Sequence, residues 1–149
     1  MKILLGVLLS GLGLFVLFTW WALESSGVAT IQTRMPDGGT RSTHVWYAEP
    51  DGELWIEAGT PENTWYVDVQ RDPGVTLSMG DSEPDRSSDA YEAQTIPGEA
   101  AHQRIRSLLR EKYGIRDRWI DLLFDTSRSI AVRLVPKNEA DDPESERSR

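Results

Sequence analysis

Cysteine is absent from this 149-residue chain. That removes a disulfide framework, a thiolate nucleophile and any cysteine-ligated zinc or iron–sulfur centre, while leaving the redox compartment open. Histidine is nearly absent too. His44 and His102 are remote in sequence and too few for a structural metal cluster, so no metal is expected. Positive charge is in deficit, with 16 Lys and Arg against 24 Asp and Glu and a net charge of −8. A phosphate backbone requires a concentrated basic surface, so no nucleic-acid partner is expected.

Charge is missing altogether between Ile3 and Leu23, a run interrupted only by Gly, Ser and Thr and ended by Trp20 and Trp21. At helical rise this run is just long enough to cross a hydrocarbon core of about 30 Å. Its closing indoles suit the headgroup region. The expectation for residues 3–23 is therefore a single transmembrane helix and a lipid bilayer as partner. A cleaved signal peptide is the weaker rival, because no small-x-small site precedes Glu24. The flanking charges, Lys2 on one side and Arg34 and Arg41 on the other, leave the orientation open.

The segment 27–136 has the length of one domain, small enough that oligomerisation would help stabilise it. Beyond it, 137–149 lacks aromatic and β-branched residues and reads as a disordered acidic tail. Strands are expected over Val28–Met35, Ser42–Glu49, Glu53–Ala58, Val75–Met79, Tyr91–Ile96 and Arg128–Val135, with Pro36-Asp37-Gly38-Gly39 and Pro50-Asp51-Gly52 as turns and Gly80–Asp89 as a loop. Period two turns Leu54, Ile56 and Ala58 to the core, and Ile130, Val132 and Leu134 likewise. It places Trp46 and Trp55 together on the outer face, where two exposed indoles call for a cover, either a second copy in a homodimer or a helix of the same chain.

A short helix is expected from Thr60, as cap, with Pro61 at its first turn and Trp65, Tyr66 and Val69 at helical spacing. Asp72-Pro73-Gly74 ends it. Glu99–Tyr113 carries the stripe Ala101, Ile105, Leu108 and Leu109, with Gly114 as terminator; Ile115, Trp119, Leu122 and Leu123 form a second, shorter stripe. On that helix Arg104, Arg106, Arg110 and Lys112 read as a solvated face, and His102 as a flanking polar residue. The resulting fold class is mainly β, α+β: a small antiparallel barrel with accessory helices, preceded by the transmembrane helix.

The stretches Thr33-Arg34-Met35-Pro36-Asp37-Gly38-Gly39-Thr40-Arg41-Ser42-Thr43-His44-Val45 and Thr64-Trp65-Tyr66-Val67-Asp68-Val69-Gln70-Arg71-Asp72-Pro73-Gly74-Val75, together with Asp125-Thr126-Ser127-Arg128-Ser129-Ile130, resemble the deazaflavin-dependent nitroreductase-like family. Its fold is the split β-barrel shared with pyridoxamine-phosphate-oxidase-like flavoproteins. The resemblance implies an oxidoreductase transferring a hydride from a reduced 8-hydroxy-5-deazaflavin coenzyme, or FMN, to a small organic acceptor. Arg34, Gly38, Gly39 and Arg41 would hold the phosphate and tail, Ser42 and Thr43 would lie beside the ring, and Trp65 would border it. Tyr66 would be the candidate proton donor. A diffusible reduced deazaflavin would favour the cytoplasmic side for the barrel. Guanidinium forks and close-approaching Gly backbone suit a phosphate, and hydride transfer requires no protein nucleophile.

Each residue also has a plainer structural reading. Arg41 pairs with a carboxylate across the sheet, Trp65 packs in the core, and the Tyr66 hydroxyl satisfies a backbone group. Met35 and Pro36 stand where the family has Lys and Ser, and Asp68 and Asp72 where it has Asn. These exchanges make the site more negative, and with them comes a second expectation: a non-catalytic split barrel, binding a ligand or a protein, with a degenerate cofactor site and no cofactor.

Overall fold

The computed structural model describes residues 2–24, 27–79 and 89–137, with side chains at 6–21 in the first of these segments. The expected acidic tail from residue 138 onward and all but the last residue of the expected Gly80–Asp89 loop lie outside the described residues.

Helix α1 runs Lys2–Glu24. It occupies the stretch expected to be an anchor, but among the described residues no helix is long and apolar enough to cross a membrane. The transmembrane assignment is thus not shown by the fold. Strands β1 (Val28–Arg34), β2 (Thr40–Ala48), β3 (Leu54–Ala58), β4 (Gly74–Met79), β5 (Asp89–Ile96) and β6 (Ile130–Pro136) follow, with α2 (Thr64–Arg71) before β4, and α3 (Glu99–Tyr113) and α4 (Ile115–Leu123) before β6. The strands close into an antiparallel barrel in the order β1-β2-β3-β6-β5-β4. Closure pairs every edge, so among the described residues no strand is left open to another chain.

Alternation sets what goes inside. Leu54, Ile56 and Ala58 pair with Leu134, Val132 and Ile130 on β6. They join Ile31, Val45, Val75 and Leu77 in the interior, to which α2 adds Trp65, Tyr66 and Val69. A second core lies outside the barrel wall, where Ala101, Ile105, Leu109 and Tyr113 of α3 cover Ala48, Trp55 and Ala131, with Trp46 packed against them. Trp46 stacks on Tyr113 with centroids 4.4 Å apart. The cover over the two outer indoles is therefore a helix of the same chain. The Tyr113 hydroxyl accepts the Tyr47 N–H at 3.1 Å and donates to the Gly27 carbonyl, tying the end of α3 to the start of β1. Gly114, at φ 55, ends α3 in a backbone region that L side chains rarely adopt.

Two expectations are corrected. Helix α2 begins at Thr64 with Asn63 as its cap, not at Thr60. Thr60 to Asn63 forms a turn of its own, in which the Thr60 hydroxyl bonds the Asn63 side chain at 3.0 Å. Arg106 is not on a solvated face. It is buried, 2.7 Å from Asp117 and 3.0 Å from Glu57, because α4 folds back along α3 and brings Asp117 and Asp121 over it. The expected stripe of Ile115, Trp119, Leu122 and Leu123 lies on α4, which packs against α1 and α3. That helix gives its acidic face to α3, so the apolar face turns towards α1, where Trp119 meets Phe15 and Phe18.

Candidate functional site

The turn between β1 and β2 folds because Gly38 takes φ +84 and Met35 N–H bonds the Gly39 carbonyl at 2.8 Å. The register sets Thr33 opposite Arg41 and Arg34 opposite Thr40. Helix α2 then lies against β1, and its last turn meets the hairpin. Arg41 Nε donates to Asp68 Oδ2 at 2.7 Å, and the buried Thr33 hydroxyl donates to the same oxygen at 3.3 Å. Arg71 lies 3.6 Å from the other Asp68 oxygen, and Arg34 lies 3.4 Å from Asp72. Arg71 also donates to the Arg34 carbonyl.

Arg41's partner is thus a helical carboxylate rather than a cross-strand one. Among the described residues, three guanidinium groups pair with two carboxylates, Asp68 and Asp72. Arg34 is the most open of them, its side chain 72% exposed. The Arg41 hydrogen bond, outweighing burial, holds the Asp68 carboxyl below its ordinary range.

Asp68 is the residue whose role the family pattern hides. In the sequence it reads as a lost Asn, yet it sits at helical spacing with Trp65 and Val69, and a carboxylate on the buried face of a helix must be paired. That spacing is the signal for it. Thr33 and Arg71 carry no comparable sequence signal, because only the hairpin register and the docking of α2 bring them to Asp68.

The remaining candidates are not gathered at this cluster. Gly38 and Gly39 form the turn, but their amides are engaged, Gly38 N–H with the Met35 carbonyl and Gly39 N–H with Asp37 Oδ1 at 2.9 Å. Ser42 is exposed and Thr43 half-buried along β2. Trp65 and Tyr66 are 3% and 6% exposed and pack edge to face in the barrel interior, 6.1 Å between centroids. Tyr66 lines a separate cavity of about 200 Å³ with Thr95, His102 and Ser129. Ligand pockets usually run from about 300 to 1,000 Å³, so a flavin-sized ring does not fit there.

His102 does more than flank a stripe. Its Nδ1 lies 3.0 Å from the Ser129 hydroxyl and 3.2 Å from the Ser129 carbonyl, fixing the start of β6 to α3. Its spacing of three from Ile105 was the available clue. Tested against the cofactor, the hairpin residues suit an anionic tail, whereas Trp65 and Tyr66 do not form an accessible wall for a ring.

The Asp68 geometry carries a pH prediction. Because its folded-state pKa is depressed, Asp68 contributes stability above the ordinary aspartate value and loses it as pH falls through the folded value. Asp68→Asn should therefore cost roughly 1–2 kcal/mol at neutral pH and flatten the acid limb below about pH 4. Urea unfolding across pH measures both; an unchanged acid limb would show that Asp68 does not govern it.

No family model matches the chain, and no curated protein matches it in sequence. In structure it is similar to the conserved hypothetical protein Rv2991 from Mycobacterium tuberculosis, with TM-score 0.57 and 23% identity over 83% of this chain and 80% of that one. It is also similar to a pyridoxamine 5'-phosphate oxidase-like protein from Listeria innocua, with TM-score 0.56 and 17% identity over 78% and 89%. HutZ, the haem storage protein from Vibrio cholerae, gives TM-score 0.58 and 12% identity over 78% and 86%. These likenesses are ones of fold: the chain is a six-stranded antiparallel barrel with helices, an architecture that these solved structures share.

Proposed function

We propose that the chain is a membrane-anchored split-barrel redox protein that binds a deazaflavin or flavin by its anionic tail at the β1–β2 hairpin. The observation that carries this reading is the convergence of Arg34, Arg41 and Arg71 at the hairpin, where among the described residues they pair with Asp68 and Asp72 and Arg34 stays open to solvent. One structural neighbour bears the name of an oxidase, which supports a redox reading, and another that of a haem storage protein, which makes haem a third ligand to test. Such a cofactor supplies hydride transfer to an organic acceptor. This chain's part is to hold the tail through guanidinium forks and to present the ring outside the filled barrel interior. The α1 stretch supports anchoring, because Val7, Leu8, Leu9, Leu12, Leu14, Val16 and Leu17 are all more than half exposed, an apolar surface that water would not leave uncovered.

A second reading is a non-catalytic ligand-binding or interaction domain. It is favoured by Asp68 and Asp72, which already hold Arg41 and Arg34, and by the engagement of both turn amides. Anaerobic titration of the detergent-solubilised protein with deazaflavin, FMN and haem separates the two. Binding of deazaflavin or FMN, weakened about tenfold or more in Arg34→Ala or Arg41→Ala, is the expected result, since a charged hydrogen bond contributes roughly 1.5–3 kcal/mol. A folded protein that binds none of the three ends the redox proposal. Binding without turnover of any acceptor leaves the second reading in its place.

A further inference from the structure

Helix α4 presents two faces with different partners. Asp117 and Asp121 point at α3, where Arg106 and Arg110 pair with them. The opposite face carries Ile115 at 67% exposure and Leu122 at 76%, and Phe124 just beyond the helix is 55% exposed. A soluble domain rarely sets three large apolar side chains in the open along one short helix.

The same face is joined to α1. Trp119 packs on Phe15 at 5.5 Å and on Phe18 at 4.9 Å between centroids, and its indole N–H donates to the Thr19 hydroxyl at 3.1 Å. Leu14, Ile115, Arg118 and Leu122 complete an apolar groove of about 530 Å³ between the two helices.

The position of that contact along α1 decides the occupant. Phe15 lies eight residues before Leu23, roughly 12 Å along the axis at 1.5 Å per residue. If residues 3–23 cross the bilayer, a helix docked against Phe15 and Phe18 cannot stand clear of it. An amphipathic helix at an interface buries its apolar face about 5–10 Å into the headgroup and acyl boundary, and the Trp119 contacts with Phe18 and Thr19, closer to Leu23 than Phe15 is, fall at roughly 6–8 Å by the same rise.

Resting on the reading of α1 as the anchor, we propose that α4 is an interfacial helix. It inserts Ile115, Leu122 and Phe124 among the acyl chains of the leaflet on the barrel side, with Arg118 reaching up to the lipid phosphates. Arginine suits that place because its stem lies along apolar surface while its head stays with the phosphate oxygens. The barrel would then be held against the membrane in one orientation rather than swinging on a linker, and a lipid-soluble acceptor would be within its reach.

The natural absence of cysteine makes the test direct, since single cysteines can be introduced without background labelling. Leu12→Cys, Ile115→Cys, Leu122→Cys, Phe124→Cys and, as a control on the polar side of α3, Ser107→Cys are labelled with an environment-sensitive fluorophore. The full chain is then reconstituted in phosphatidylcholine–phosphatidylglycerol vesicles. Blue-shifted emission at 115, 122 and 124, quenched by acyl-chain spin labels and not by aqueous iodide, is expected, with Ser107→Cys quenched by iodide.

If Leu12→Cys is lipid-exposed while 115, 122 and 124 are quenched by iodide, the interfacial helix is overturned and the anchor stands. Protection of the three positions from both quenchers also overturns it and identifies a protein cover, either a second copy or another partner. If Leu12→Cys is itself open to iodide, the anchor fails and this proposal fails with it.

Discussion

Replacing Arg106 by methionine is expected to cost roughly 3–5 kcal/mol of stability, the range found when one partner of a buried ion pair is removed. The physical cause lies in what remains. Asp117 is fully buried and Glu57 nearly so, and both would lose the guanidinium that compensates them at 2.7 and 3.0 Å. Burial already pushes both carboxyls above their ordinary range, against the opposing pull of Arg106.

Without Arg106 they rise further. A carboxyl whose folded pKa is raised contributes stability below its unfolded value and loses it as pH rises through the folded one. The deficit of the variant should thus be largest at neutral pH and shrink towards pH 4. Thermal unfolding of the detergent-solubilised protein should show a midpoint lower by roughly 12 °C or more at neutral pH. Adding Glu57→Gln and Asp117→Asn to Arg106→Met should recover much of the loss, since the pair is replaced rather than broken. A single variant as stable as the parent would mean that the network contributes nothing to holding α3 and α4 on the barrel.

The other large effect concerns Trp65. Trp65→Ala is expected to destabilise by roughly 3–5 kcal/mol, because an indole at 3% exposure leaves a cavity that the barrel wall cannot collapse to fill. This is also a test of role. As a core residue, Trp65 should tolerate Phe with only a modest loss of stability and no change in deazaflavin or FMN binding. As a cofactor wall, the Phe variant would keep its stability and lose the ligand. Urea unfolding and ligand titration of Trp65→Phe side by side decide between them, and the burial of Trp65 among Tyr66, Val69 and the strands leads us to expect the first result.

Much of the barrel was legible because alternation is a local property. Leu54, Ile56 and Ala58 face inward for the same reason in the sequence as in the fold, and the boundaries of α3 follow from its stripe and from Gly114. The site was legible only in part. Arg34, Arg41 and the Gly turn could be picked out by type and spacing, but the carboxylates that pair with the two arginines, Asp72 and Asp68, are 27 residues or more away along the chain. The resemblance makes Trp65 a ring wall, whereas its helical spacing with Val69 points to the core, and the fold buries it there at 3% exposure.

The sequence by itself thus determined the inward-facing positions of the strands, the absence of thiolate and cysteine-metal chemistry, and the presence of an uncharged apolar run over residues 3–23. Tertiary structure alone decided that α3 covers Trp46 and Trp55, that Asp68 clamps Arg41 to α2, and that α4 turns an apolar face to α1. The physical reason is one of range. Periodicity and turn chemistry act between residues a few positions apart. The pairing of a buried charge, and the exposure of an apolar one, depend on which distant element folds over it.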